Sequence, residues 1–379
     1  MGRPGSLGLY SPYLGSVYGG GEKYLLSAAR ALADAGCGVE LIAPVPVDAA
    51  AYRRMLGADL RGISLRSSNA RVTSLHRALN RIELLRPLRN RVLGVQASRI
   101  GADYDVFIPM VYAIPVAPSG RRNAMLCQFP YGSRDEIAGF ELLVCQSEYV
   151  RGWVQRYWDR DALVVNPPID VPETEPDWAA KEQVILSVGR FFSGGHSKRQ
   201  DVLVDTFREL VDGGLRGWEL HLAGAVHRDA QHAGYFDAVA ERAQGYPIGL
   251  HPDAGLDELE GLYRTASIYW HAAGFGADEA RHPERLEHFG MTTAEAMAHG
   301  AVPVVFGAGG QVEVVRDGET GRHWHSLDEL KQVTRDLIGD EPQRVGLGQV
   351  ARAASGKWSR EAFGPAIVEA LRPVLPCGS

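Results

Sequence analysis

Two glutamates, Glu287 and Glu295, stand with seven residues between them in "EHFGMTTAEAMAHG", residues 287–300, and Phe289-Gly290-Met291 lie in the gap. Carboxylates suit polyols, because each oxygen can accept from a different hydroxyl. Glu287, just outside a predicted helix, is placed to accept from sugar hydroxyls, and Glu295, one turn in, from a ribose. The backbone amides of Phe289, Gly290 and Met291 would be open donors ahead of that helix. A purely structural reading competes with this one. Thr292-Thr-Ala-Glu295 has the spacing of a capping box, in which a threonine hydroxyl takes a backbone N–H and the glutamate reaches back. Gly300 then ends the helix, and the β-branched run "AVPVVF" follows as a strand.

Two other loops have chemical content. In "RFFSGGHSK", Arg190 leaves a strand end and Lys198 lies beyond the Gly194-Gly195 turn, close to the start of a helix. A planar guanidinium and a point-charge ammonium beside a helix N-terminus make a site for a diphosphate, although two solvated loop cations would look the same in sequence. The spacing fits neither the P-loop nor the dinucleotide GxGxxG pattern. After the first strand comes Gly19-Gly20-Gly21, where missing side chains would let backbone N–H groups approach a phosphate, or would merely permit a tight turn. "DYD", residues 103–105, has the Asp-x-Asp form of a divalent-metal site, but it stands where a loop runs into the strand "VFIP", and no metal is expected.

Loops this far apart need a frame that brings strand ends together. Short apolar runs alternate with amphipathic segments along most of the chain, which predicts an α/β fold of parallel sheets covered by helices on both faces. "LGLYSPY", the glycines, the helix "EKYLLSAARALADAGCG" and the strand "VELIAP" form a βαβ opening, and "DVFIP", "AMLCQFP" and "LLVCQSEY" read as further strands. Prolines and acids dominate residues 164–180, which are read as an interdomain connection. A second series follows: strand "QVILSVG", helix "RQDVLVDTFREL", strand "WELHLAG", helices "YFDAVAERAQ" and "LDELEGLYRTA", and strand "SIYWHAA". The expected domains are 1–166 and 167–358, with 359–379 a C-terminal helix packing back on the first. In such open sheets ligands bind beyond the carboxyl ends of the strands, where all three loops lie.

At 379 residues the chain is long enough for two cores, and its 45% hydrophobic and 23% charged content is that of a soluble globular protein. No apolar run reaches the ~18 residues of a membrane span, and the N-terminus lacks a signal-like apolar stretch, so the expected location is the cytoplasm. The scattered cysteines 37, 127, 145 and 377 show no CxxC spacing and imply neither a disulfide framework nor a zinc site. The net charge of −6 conceals an asymmetry: residues 1–166 hold 20 Lys+Arg against 14 Asp+Glu, leaving 20 against 32 for the remainder. Much of the basic excess lies in residues 71–101, where seven arginines face Glu83 alone and Pro87 interrupts any single long helix. This stretch is read either as a solvated face or as a peripheral contact with a membrane surface or an anionic acceptor. No partnership with nucleic acid is expected.

Taken together, Gly-Gly-x-Glu at residues 19–22, Gly-Arg at 189–190 followed by Lys198, and Glu-x7-Glu at 287–295 with an internal Phe-Gly resemble glycosyltransferase family 4 (group 1), retaining enzymes of the GT-B fold. "YSPYLGSVYGGGEKYLL" and "EHFGM" are most similar to the branch that holds the mannosyltransferases extending lipid-linked oligosaccharides. The resemblance covers nearly the whole chain. It implies two Rossmann-like domains facing a cleft, with a nucleoside-diphosphate hexose, UDP- or GDP-linked, as co-substrate and with no cofactor or metal. Arg190 and Lys198 would hold the diphosphate, Glu295 the ribose and Glu287 the hydroxyls of the transferred sugar. The 289–291 amides would meet sugar and phosphate, Gly19 and Gly20 would close on the donor, and His271 would sit near it unless it is a satisfied core histidine.

Many relatives carry a histidine after a first-domain strand that touches the donor sugar; here the matching "CQFP" offers Gln128, which can hydrogen-bond a hydroxyl but cannot titrate as a base near neutral pH. The acceptor is open between a lipid-linked saccharide, a polysaccharide and a secondary metabolite. A nucleotide-sugar 2-epimerase of the same architecture and a non-catalytic sugar-nucleotide-binding subunit are the competing readings.

Overall fold

A computed structural model describes residues 3–67, 86–112, 114–226 and 232–376. The chain divides into two compact units, one made of Met1–Pro168 with Arg360–Ser379 and the other of Ile169–Ser359. Each is built on one parallel sheet, as the α/β expectation requires.

In the first unit the strands are β1 (Arg3–Tyr10), β2 (Gly38–Ala43), β3 (Ser64–Ser67), β4 (Tyr104–Val111), β5 (Arg122–Cys127), β6 (Leu142–Cys145) and β7 (Leu163–Val164), in the order β3-β2-β1-β4-β5-β6-β7. The central strands are apolar along their length because helices cover both faces. One face carries Leu7, Leu9, Val106 and Ile108 against Leu25, Ala29 and Leu32 of the helix Gly20–Asp34. The C-terminal helix Arg360–Leu371 belongs to this core through Phe363, Ile367 and Leu371, with the Phe363 ring edge-on to Tyr24 at 5.5 Å between centroids.

The second unit repeats the plan with β8 (Glu182–Val188), β9 (Glu219–Gly224), β10 (Ile248–Pro252), β11 (Ala266–His271), β12 (Val302–Phe306) and β13 (Arg322–Trp324), in the order β10-β9-β8-β11-β12-β13. Its core gathers Ile185, Leu220, Leu222, Ile268, Trp270 and Val304 under Leu203 and Phe207 of the helix Gln200–Asp212. In both units the chain reverses its direction of travel across the sheet beside the first strand, at β1/β4 and at β8/β11. Those are the crevices where ligands of such sheets bind.

The sequence reading passes straight from one helix to the next across residues 244–255, and the structure inserts β10 there. The segment "PIGLHP" is short, bounded by prolines and holds an edge position, where prolines are tolerated, so neither length nor alternation marked it. The edge strands β3, β7 and β13, of two to four residues each, are too short for an apolar pattern to mark them. Within the basic stretch, residues 71–85 lie outside the described residues. The helix Arg86–Gly101 carries Pro87 near the start of its described residues. Among the described residues no helix is long and apolar enough to cross a membrane.

Candidate functional site

The second unit concentrates charge at the carboxyl ends of β8 and β11. Strand β8 delivers Gly189 and Arg190, and β11 ends on His271. Glu287 comes from the segment that leads into the helix Met291–Ala298. Its carboxylate is buried and accepts on one oxygen from the Lys198 ammonium and from His271 Nε2 at 2.9 Å, while His196 Nε2 lies 3.6 Å from the other oxygen. His196 is also 3.5 Å from Lys198 Nζ, and its ring lies 4.8 Å from that of His288 between centroids, tilted by 46°. Burial by itself would raise the Glu287 carboxyl, but Lys198 and the two histidines outweigh it and hold the group well below the usual carboxylate range. His271 is held below its ordinary value chiefly by burial, as is His196, on which Lys198 and Arg190 also bear. Both rings are therefore neutral at pH 7, and with Glu287 ionised the His271 Nε2 carries the proton and donates.

Glycines shape this cluster. A Cβ on Gly189 would stand 2.5 Å from Lys198 Cγ, so its absence lets the lysine stem lie along the strand end. Gly310 donates its N–H to the Glu287 carbonyl at 2.7 Å, and a Cβ there would meet the His288 carbonyl oxygen at 2.3 Å. The buried Gln200 side chain donates to the carbonyls of Gly189 and Arg190 at 2.9 and 3.1 Å, which fixes the chain on either side of the arginine.

Glu295 points elsewhere on the same helix. Tyr263 donates its hydroxyl to Glu295 Oε2 at 3.1 Å, and Tyr269 donates to Thr292 Oγ1 at 2.7 Å. This rules out the capping box: the N-cap is Gly290, at φ 106°, with no side-chain cap, and the threonine and glutamate of the pattern are both engaged by tyrosines. The Phe289 side chain is core, edge-on to Trp358. The amides of Phe289, Gly290 and Met291 have no hydrogen-bond acceptor among the described residues. At the other end Gly300 and Ala301 donate to the carbonyls of Met297 and Ala296, a Schellman closure with Gly300 at φ 81°. Burial pushes the Tyr269 hydroxyl up, and Glu287 and Glu295 both add to the effect.

In the first unit the strand ends are furnished differently. Gly19 is the N-cap of the helix Gly20–Asp34, without a side-chain cap. The glycine under steric demand is the third, Gly21, where a Cβ would fall 1.9 Å from Gln128 Nε2. Gly19, Gly20, Gly21 and Gln128 thus meet at the ends of β1 and β5. Asp103 and Asp105 flank the first residue of β4 and are tied to Arg66 at 2.7 Å and Arg121 at 3.3 Å. His196 and His288 were not singled out in the sequence. His196 stands two residues before Lys198 in the same loop, which was the available signal, whereas His288 adjoins Glu287 with no spacing cue.

Residues 172–354 match the family model of glycosyl transferases group 1. A D-inositol 3-phosphate glycosyltransferase of Corynebacterium aurimucosum is 33% identical over 45% of this chain and 38% of its own length. A GDP-Man:Man(3)GlcNAc(2)-PP-Dol alpha-1,2-mannosyltransferase of Dictyostelium discoideum is 22% identical over 60% of this chain and 45% of its own. The matched segments therefore span less than half of either relative. In fold, sucrose-phosphate synthase of Thermosynechococcus elongatus superposes with a TM-score of 0.72 at 16% identity, covering 98% of this chain and 99% of that one. Anabaena HepE in complex with UDP and glucose gives 0.67 at 14%, covering 98% and 100%.

Proposed function

We propose that this chain, whose second unit belongs to the group 1 glycosyl transferases, moves a hexose from a UDP- or GDP-linked donor to an acceptor hydroxyl with retention of anomeric configuration. The observation that carries the reading is the Lys198–Glu287–His271 cluster beside Arg190 at the β8/β11 switch point. In the proposed reaction the bond between C1 of the sugar and the diphosphate oxygen breaks, and its electron pair leaves with the nucleoside diphosphate. The acceptor oxygen bonds to C1 on the same face, and the acceptor proton passes to the departing phosphate oxygen. Charge grows on the diphosphate as the bond stretches, so Arg190 and Lys198 supply the main stabilisation, and Glu287 holds the ammonium in place. These two cations take the part a metal would play, and we assign no metal requirement. Glu287 also accepts from the sugar hydroxyls, the 289–291 amides face sugar and phosphate, and Glu295 takes the ribose. Gln128, with Gly19 and Gly20, contributes from the first unit, which carries the acceptor.

The acceptor is assigned an anionic character. The first 166 residues carry the basic excess, and the relatives named above act on a phosphate or a diphosphate-linked lipid according to their names. Contact of residues 71–101 with the cytoplasmic membrane face would deliver a lipid-linked acceptor of this kind. The test is incubation with UDP- and GDP-hexoses and candidate acceptors, with release of nucleoside diphosphate and the anomeric configuration of the product as readouts. Inverted product overturns the retaining mechanism. A changed sugar nucleotide formed without acceptor overturns transfer in favour of 2-epimerisation, and tight donor binding with no turnover favours the non-catalytic subunit.

A further inference from the structure

One side chain from another helix meets the Glu295 carboxylate, and two further residues tie the ends of the two helices together. Tyr263, on the helix Leu256–Thr265, is buried, and its hydroxyl donates to Glu295 Oε2 at 3.1 Å. His299 stacks on the Tyr263 ring at 5.4 Å with planes 18° apart, and its Nδ1 lies 2.8 Å from the Glu295 carbonyl, which only a protonated Nδ1 can satisfy. The Lys181 ammonium reaches the carbonyls of His299 at 2.6 Å and Ala266 at 2.8 Å, so one side chain closes the C-terminal ends of both helices. The tyrosine and the glutamate are therefore mounted on two helices pinned at a common end.

A buried tyrosine hydroxyl needs an acceptor, and here the acceptor is the carboxylate assigned to the ribose. Burial, together with Glu295 itself, pushes the phenol well above its ordinary range, so it remains a donor throughout the physiological span. A carboxylate has about four lone-pair sites, so one phenolic donor fixes its rotation without exhausting it.

We infer that Tyr263 is a positioning residue for nucleotide selection, holding the Glu295 carboxylate in the orientation that accepts from the ribose 2′-hydroxyl and so discriminates ribo- from 2′-deoxyribonucleotides. The inference rests on the donor assignment above.

Its test is calorimetric binding of UDP, GDP and their 2′-deoxy forms to the full chain, which needs neither acceptor nor sugar. Wild type binds the ribo form of its preferred nucleotide about tenfold more tightly than the deoxy form, the size expected for a hydrogen bond to a charged group. Tyr263→Phe lowers that ratio at least threefold while leaving deoxy-form affinity within twofold, because the deoxy form has no 2′-hydroxyl for the positioned carboxylate to meet. Glu295→Gln lowers the ratio further. A general loss of packing would weaken ribo and deoxy forms alike and overturn the inference. An unchanged ratio in Tyr263→Phe with a collapsed one in Glu295→Gln overturns the role of Tyr263 and leaves the donor site standing. An unchanged ratio in Glu295→Gln, or no preference in wild type, overturns the ribose assignment itself.

Discussion

Strand β1 ends in a turn whose groups are backbone amides and a glutamine, whereas β8 ends in an arginine beside a buried ion pair. The frames beneath them share one strand order through six strands, so topology alone does not decide what a switch point does. In the first unit the loop after β1 is fixed by tyrosines: Tyr52 accepts from the Gly15 N–H at 2.8 Å and donates to the Val17 carbonyl at 2.9 Å, and Gly21 lets Gln128 lie over the helix N-terminus. In the second, Lys198, Glu287 and three histidines fill the corresponding position. Net charge points the other way, since the acidic part of the chain carries the cation site. Under the proposed function, it is a local arrangement of paired charges, not the sum over a domain, that would meet a diphosphate.

The sharpest way to break this comparison is to remove one group from each side. Lys198→Ala is expected to lower kcat/KM by about a thousandfold and Gln128→Ala by about tenfold, in keeping with a charged group acting on the transition state against a single hydroxyl contact. A larger loss from Gln128→Ala would reverse the ranking. Lys198→Ala also leaves a buried carboxylate without its partner, at about 3–5 kcal/mol, whereas Lys198→Met with Glu287→Leu restores apolar packing. Thermal melting should therefore recover in the double variant while activity does not.

Acid should separate the units next. His196, His271 and His288 are all held below the ordinary histidine value, mainly by burial, so as pH falls through 6.5 the unfolded chain takes up protons that the folded chain refuses. Stability is lost on that side. Glu287, with its depressed carboxyl, contributes stability that is present above the ordinary carboxylate range and is lost as pH falls through its folded value. Both effects run in one direction and both lie in the second unit; the single histidine of the first, His76, is outside the described residues. Between pH 7 and pH 5, hydrogen-exchange protection, taken relative to the intrinsic rate at each pH, is expected to fall in β8 and β11 before β1 and β4. The opposite order would remove the histidine cluster as the weak point.

The α/β class and both parallel series were legible because buried parallel strands are near-continuous apolar runs, as in "VILSV" and "IYWHAA". Lys198 and Glu287, read as ligand groups from loop position, prove to be each other's partners across 89 residues. That pairing leaves no trace in local sequence. The capping-box pattern misled because it is a statement about four residues, while Tyr263 and Tyr269 reach Glu295 and Thr292 from separate elements. Gly21 was seen as part of a triplet, but which of three glycines bears the steric demand depends on where Gln128 lies.

Glycine substitutions test the same contrast through space rather than charge. In Gly310→Ala the new Cβ meets a backbone oxygen that cannot swing away, so the loop carrying Glu287 and His288 must shift, at about 1–3 kcal/mol and with loss of activity. In Gly21→Ala it meets only the tip of Gln128, which can rotate, so stability should change by under about 1 kcal/mol. Activity should then fall to the level of Gln128→Ala, and combining the two should add nothing. Chemical denaturation and kcat/KM on the three variants decide it, and additive losses would mean that Gly21 acts other than through Gln128.

The smallest effects are expected at Asp103 and Asp105, and they bear on where the stabilising charge resides. Both flank the start of β4, the amino end of a strand, while ligands of such sheets gather at the carboxyl ends. Each carboxylate is matched by an arginine, and the Asp103–Arg66 pair is largely exposed, a class of contact worth about 0–1 kcal/mol. Asp103→Asn and Asp105→Asn should therefore leave kcat/KM within about twofold and melting nearly unmoved, and a chelator added to the assay should act no more strongly. If instead either substitution abolished turnover and a divalent ion governed what remained, the charge that draws off the diphosphate would not be that of Arg190 and Lys198, and the contrast between the two strand ends would lose its functional meaning.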